Sequence, residues 1–243
     1  MIDPRVNIIH DRISSIGRII AVTGGKGGVG KSLLASTLAL MLARKGFKTG
    51  LFDLDFTSPS THLILGVKDV QPVEDKGILP PLVHGLKYMS VIYYSGGRAT
   101  PLRGFDVSNA LIELFSVTNW GELDYLIIDT PPGIGDVLLD IIRLIKAADF
   151  LVVTTSSKLA FETVSKLIIL LNSLNTTIIG IIENMKTDES DYVQQKSREF
   201  NVKFLGGVPY DPDVEKNLGN VDGLLKTVFA KNIWEKLEFL TRR

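Results

Sequence analysis

Seven short apolar runs, at residues 18–23, 48–53, 87–94, 125–129, 150–154, 177–182 and 203–208, alternate with stretches whose apolar residues recur every three or four positions. The first spacing predicts strands and the second amphipathic helices. Runs such as FLVVTT and TIIGII are almost continuously apolar, which predicts strands buried on both faces. The alternation predicts an α/β fold: a three-layer arrangement with a mostly parallel central sheet and helices on both faces. Ligands of such sheets bind beyond the carboxyl ends of the strands. Residues 67–81, rich in Pro, Asp, Gly and Lys, read as a loop with the composition of a mobile one. Residues 1–17 read as an N-terminal leader, and 18–243 as a single domain without internal repeats.

Composition narrows the function classes. A chain of 243 residues with 45% hydrophobic content can bury a sizeable core. Lysine plus arginine and aspartate plus glutamate balance at 27 each, so no global field drives binding to nucleic acid or an anionic membrane, and neither is expected as a partner. Asp140, Arg143, Lys146 and Asp149 interrupt the most hydrophobic region, so no membrane span is predicted. Asp3, Arg5, Asp11 and Arg12 stand where a signal peptide needs an apolar run, which points to the cytoplasm. Cysteine is absent, removing thiolate metal ligands and cysteine nucleophiles. His10, His62 and His84 lack ligand spacing and read as ordinary residues.

The chemistry concentrates after the first predicted strand. Gly25 to Ser32 read GKGGVGKS and satisfy G-x-x-x-x-G-K-[ST]. In that loop, Gly25, Gly27, Gly28, Val29 and Gly30 supply backbone N–H groups that curl round phosphates. Lys31 reaches the β/γ oxygens and Ser32 gives its hydroxyl to Mg²⁺. Leu34, Leu38, Met41 and Leu42 predict a helix that begins at Ser32 and takes in Leu33, so the phosphates meet a helix N-terminus. A glycine-rich turn between unrelated elements would not need this whole context. Lys26 is a second cation that the cradle does not require, and this deviant form of the loop is associated with ATPases that close on nucleotide as dimers.

Acids end two of the predicted strands. Asp129 closes Tyr125-Leu-Ile-Ile-Asp and is placed to face Mg²⁺; the alternative is an aspartate that caps a turn. Thr130-Pro131-Pro132-Gly133 is stiff and then flexible, suited to sensing a γ-phosphate. Asp53 and Asp55 fall on one side of an extended chain by alternation. One can support the metal shell while Asp55 orients the attacking water, unless the two are merely solvated surface acids.

These segments resemble the Mrp (ApbC-type) branch of the MinD/ParA superfamily of P-loop ATPases: GRIIAVTGGKGGVGKS (17–32), LFDLDFTSPSTHLILG (51–66), RATPLRG (98–104), WGELDYLIIDTPPGIGD (120–136), IIENM (181–185) and LGGVPYDPDV (205–214). The resemblance implies a Mg²⁺-dependent ATPase with a P-loop NTPase fold, acting as a homodimer with two ATP at the interface. Lys26 would reach the partner's nucleotide, Asp55 and Asp129 would belong to two switch segments, and Asn184, Pro209 and Tyr210 would line the adenine pocket. Read from the residue alone, Asn184 is as well explained as a turn former. Ser58 stands where the family usually has glycine, and Ile134 where threonine is common. In much of the family a C-x-x-C pair follows Glu-Asn-Met; here the chain continues Lys186-Thr-Asp-Glu-Ser190, so no iron–sulfur cluster is expected on this chain alone.

Three functions compete. The first is an ATP-dependent dimeric switch, slow or partner-stimulated, acting on an unidentified protein client. The second is a spatial organiser of the MinD or ParA kind. For it, Ile233, Trp234, Leu237 and Leu240 form an apolar face in the last helix, a pattern that packing of a final helix on the sheet explains better. The third is an adaptor for a cluster-bearing partner.

Overall fold

The computed structural model describes residues 3–95 and 105–242; the RATPLRG segment lies outside them. The strands are β1 (Ile16–Gly24), β2 (Thr49–Asp53), β3 (Val73–Glu74), β4 (Ile78–Leu79), β5 (Leu82–Val83), β6 (Leu86–Ser90), β7 (Leu123–Asp129), β8 (Ala148–Thr154), β9 (Thr177–Lys186) and β10 (Phe204–Pro209). The helices are α1 (Arg5–Ile13), α2 (Lys31–Arg44), α3 (Thr61–Leu65), α4 (Ile92–Ser95), α5 (Phe105–Val117), α6 (Asp136–Leu144), α7 (Lys158–Ser173), α8 (Tyr192–Glu199), α9 (Asp213–Lys216), α10 (Val221–Leu224) and α11 (Val228–Leu237).

Eight strands form one sheet in the order β10-β9-β8-β1-β7-β2-β6-β5, with only β5 antiparallel to its neighbour. Side chains alternate across β1 between two cores. Ile19 and Ala21 join a layer that includes Ile9, Phe115, Ile141 and Leu167. Ile20 and Val22 join the opposite layer with Leu34, Leu38, Ile64 and Ile233. This is the three-layer α/β arrangement the runs predict, and the seven expected strands all occur.

Three stretches depart from the expectations. The 87–94 run is strand only to Ser90, and α4 follows. The apolar pattern persists because Val91 and Tyr93 still pack inward. The loop at 67–81 holds an antiparallel β3–β4 pair, Val73 opposite Leu79 and Glu74 opposite Ile78. Its turn uses Lys76 at φ 50° and Gly77 at φ 121°. The 1–17 leader contains α1, whose Ile9 is fully buried, and the boundary at residue 17 falls inside β1. Arg12 joins these parts, donating to the Lys76 carbonyl at 2.7 Å and the Ser116 carbonyl at 3.4 Å.

The final helix is core. Ile233, Leu237 and Leu240 are buried, and the Tyr125 hydroxyl donates to the Leu240 carbonyl at 2.9 Å. The face that a membrane anchor would need is therefore used against the sheet. Among the described residues no helix is long and apolar enough to cross a membrane.

Ile9→Ala should lower unfolding free energy by about 2–5 kcal/mol, the cost of emptying a buried aliphatic site. Urea denaturation checks this; a loss below roughly 0.5 kcal/mol would place α1 outside the cooperative unit.

Candidate functional site

A cavity of about 480 Å³ lies along the phosphate loop, the segment that follows β2, the end of β9, and the end of β10 with the segment after it. Its floor is the loop between β1 and α2, where Gly27, Gly28, Gly30, Lys31, Ser32 and Leu33 line the space. The glycines have separate causes. Gly30 adopts φ 87° immediately before α2, and a Cβ there would stand 2.2 Å from the Asn184 side-chain nitrogen. At Gly25 a Cβ would meet Thr163 and the Val164 backbone of α7 at 2.8 Å. Val29 is buried and anchors the loop in the core. No side chain caps α2, so its first N–H groups remain available to an anion.

Lys31 is the first residue of α2 and is buried, with its Nζ 3.8 Å from Asp129 Oδ1. Asp129 ends β7 with no exposed surface; neither carboxylate oxygen has a hydrogen bond of standard geometry among the described residues, although the Ser32 hydroxyl lies near enough to favour the charged form. Burial pushes its pKa up, Lys31 opposes this, and the charges of Asp53 and Asp55 add to the rise.

Asp53 and Asp55 do not act as a pair on the cavity. The strand stops at Asp53, so alternation ends there. Asp55 lines the cavity from the following turn, and its Oδ1 accepts from Thr57 N at 3.0 Å, Thr57 Oγ1 at 2.5 Å and Ser58 N at 3.0 Å. Ser58 sits outside the positive-φ region, which is why serine serves where glycine is usual. Asp53 is buried and bonded to Thr61 instead. The segment that follows β7 is latched to β1: Thr130 Oγ1 donates to the Val22 carbonyl at 3.0 Å, and Gly133 N to the Gly24 carbonyl at 2.9 Å.

Lys26 is half-buried, does not line its own chain's cavity, and makes no ion pair among the described residues. Asn184, Pro209 and Tyr210 also line the cavity. Asn184 is almost fully buried, and its amide donates to the Val29 carbonyl at 2.9 Å, so it buttresses the phosphate loop from behind. Sequence reasoning missed the apolar wall of Leu63 and Ile64 from α3 with Val214, Leu218 and Phe229. Helical spacing places Leu63 and Ile64 in α3, but nothing in it says that their helix faces a ligand. It also missed Glu183, a buried acid paired with Lys186 Nζ at 3.2 Å, for which the sequence carries no signal.

The residues fit a magnesium ion. Hard divalent cations take oxygen ligands, and the buried carboxylate of Asp129, without a hydrogen bond of standard geometry among the described residues, lies beside Lys31 and close to Asp55 and Ser32. They do not fit an iron–sulfur cluster: the chain has no cysteine, and the described residues hold no group of three His, Asp or Glu able to bind a metal.

Residues 15–242 match the family described as ParA, NUBPL iron-transfer P-loop NTPase. The chain belongs to this family. Relatives of this P-loop NTPase include the iron-sulfur cluster carrier protein of Methanococcus maripaludis, 39% identical over 84% of the chain and 76% of the relative. The protein of the same name from Aquifex aeolicus is 35% identical over 84% of the chain and 60% of its own length. Among solved structures, a nucleotide-binding protein from Archaeoglobus fulgidus in complex with ADP superposes with TM-score 0.76 at 30% identity, covering 91% of this chain and 93% of that one. The septum site-determining protein MinD of Pyrococcus horikoshii, complexed with Mg-ADP, gives TM-score 0.71 at 20% identity, covering 93% and 96%, and attests the shared fold.

Asn184→Ala in this P-loop NTPase should cost about 1–2 kcal/mol of stability, since it leaves the buried Val29 carbonyl unbonded, and should weaken ATP binding as well. Thermal unfolding and nucleotide titration check both. Weakened binding with unchanged stability would restrict Asn184 to the base.

Proposed function

We propose that the chain binds Mg·ATP in this cavity and closes on a second copy of itself with two ATP at the interface. It hydrolyses ATP to ADP and phosphate, slowly or under a partner's stimulation, as a switch serving iron–sulfur cluster traffic. The observation that carries this reading is the fully buried Asp129 carboxylate, 3.8 Å from Lys31 and close to Ser32 at the phosphate loop, with no hydrogen bond of standard geometry among the described residues.

The loop N–H groups of Gly25 to Ser32 cradle the phosphates and Lys31 reaches the β/γ oxygens. Ser32, Asp55 and Asp129 hold Mg²⁺. When bound, the ion neutralises phosphate charge. Asp55 orients the attacking water: its three hydrogen bonds all fall on Oδ1, leaving Oδ2 for that contact. Positioning and charge neutralisation are most of what phosphoryl transfer asks of a protein. The latch between Gly133 and Gly24 lies next to the loop, so phosphate loss there is felt by the second switch segment. Asn184, Pro209, Tyr210 and the apolar wall of Leu63 and Leu218 take the base.

Lys26, which makes no ion pair among the described residues, reaches the nucleotide of the partner copy. The named relatives are cluster carriers, and a cluster handled by this chain is cargo whose thiolates come from another chain, since this one has none. The client is then a cluster-bearing protein.

Lys26→Ala should remove ATP-dependent dimerisation. A charge-assisted hydrogen bond contributes about 1.5–3 kcal/mol, so the dimer Kd should rise roughly 10- to 100-fold. Light scattering with ATP and the slow Asp55→Ala background reads this; a wild-type chain that stays monomeric in saturating Mg·ATP contradicts the switch. Anaerobic reconstitution with iron and sulfide should leave the isolated chain colourless, and stoichiometric stable colour would overturn the cargo assignment.

A further inference from the structure

Asp53 does not line the cavity, yet it is the most extensively bonded acid beside it. Its Oδ1 accepts the Asp55 N–H at 3.1 Å. Its Oδ2 accepts Thr61 Oγ1 at 2.6 Å, Thr61 N at 3.3 Å and Ser90 Oγ at 3.3 Å. Thr61 Oγ1 gives its proton to Asp53, so the Tyr88 hydroxyl, 2.8 Å away, donates to Thr61. Asp53, Thr61, Tyr88 and Ser90 are all fully buried.

Each oxygen of this carboxylate controls a different piece of the site. Oδ1 sets the turn that carries Asp55. Oδ2 holds the first residue of α3, the helix that brings Leu63 and Ile64 to the cavity wall. The far end of α3 is fixed independently, by Gly219 N donating to the Ile64 carbonyl at 3.1 Å and by His84 Nε2 against the Leu65 carbonyl at 2.8 Å. A short helix pinned at both ends, with its start sharing one carboxylate with the Asp55 turn, cannot shift without moving Asp55. A neutral isostere cannot do the same, because an amide offers one acceptor oxygen where the carboxylate uses two.

We propose that Asp53 is a positioning residue for hydrolysis: it locks the Asp55 turn and the start of α3 in one register, so that Asp55 is held while the α3 wall meets the nucleotide. This rests on the ATPase reading above. Asp53 touches neither nucleotide nor water itself and acts through Asp55. A residue that merely stabilised the fold would lower melting temperature without separating turnover from binding.

The test uses the full chain carrying Asp53→Asn, Thr61→Val or Thr61→Ser. A misplacement of about 1 Å costs on the order of 100-fold in rate. Asp53→Asn and Thr61→Val should therefore lower kcat roughly 10- to 100-fold while ATP Kd changes less than about threefold, and Thr61→Ser should recover most of the loss. Asp53→Asn should add nothing in an Asp55→Ala background, because both act at one point. Losses that appear in Kd alone, or a further drop in that background, overturn the proposal. Amide exchange over residues 54–66 in nucleotide-free protein is the second readout: faster in Asp53→Asn and Thr61→Val, slow in Thr61→Ser. Unchanged exchange in both variants overturns the positioning role, whereas a wild-type chain that neither binds nor hydrolyses ATP overturns the ATPase reading and leaves the exchange result standing.

Discussion

Parallel pairing of β2 with β7 sets Asp53 beside Asp129 at the carboxyl ends of two buried strands, and Asp55 follows two residues later. Lys31 is the buried cation against them. Low polarity makes uncompensated charge costly, so each carboxylate has to find its own compensation, and the three find different ones. Asp53 takes hydroxyl and amide donors from Thr61, Ser90 and Asp55. Asp55 takes its donors from its own turn. Asp129 has the Lys31 ammonium at 3.8 Å and the nearby Ser32 hydroxyl but no hydrogen bond of standard geometry among the described residues, and that deficit is what a divalent cation with its phosphates would fill.

The fold concentrates this deficit at one place and surrounds it with parts that register a change there. The parallel strands fix the acids to within the pleat of the sheet, while the bonds around them belong to turns. Leu54 N donates to the Asp129 carbonyl at 2.9 Å, so the turn carrying Asp55 is tied to the end of β7. Gly133 N and Thr130 Oγ1 tie the next segment to β1. The segments after β2 and β7 thus both hang from the strand ends that carry the charge, each tied there by a few hydrogen bonds.

Much of this was legible in the chain. The phosphate loop, the strand that precedes it and the acid at the tip of β7 are local patterns with fixed chemistry, and apolar runs locate buried strands well. What escaped depends on groups distant in sequence. The Asp53 network needs Thr61, Tyr88 and Ser90, brought together only when β2 pairs with β6. Asn184 reaches Val29 across more than 150 residues. The helix α1 was missed because residues 1–17 carry no motif, although Ile9 is buried and Arg12 holds the β3–β4 turn. The pattern of 87–94 misled because an inward-facing Val91 and Tyr93 look alike in a strand and in the turn and helix that replace it.

The central claim is that the weakly compensated Asp129 carboxylate makes nucleotide binding depend on a divalent cation. Thermal unfolding with saturating ATP, with Mg²⁺ or with a chelator, in the wild-type chain and in Asp129→Asn, tests it most directly. A ligand at about 100 times its Kd adds roughly 2.7 kcal/mol of stability. The account predicts a large Mg²⁺-dependent rise in melting temperature for the wild type that is mostly lost in Asp129→Asn; an equal rise in both proteins would contradict it.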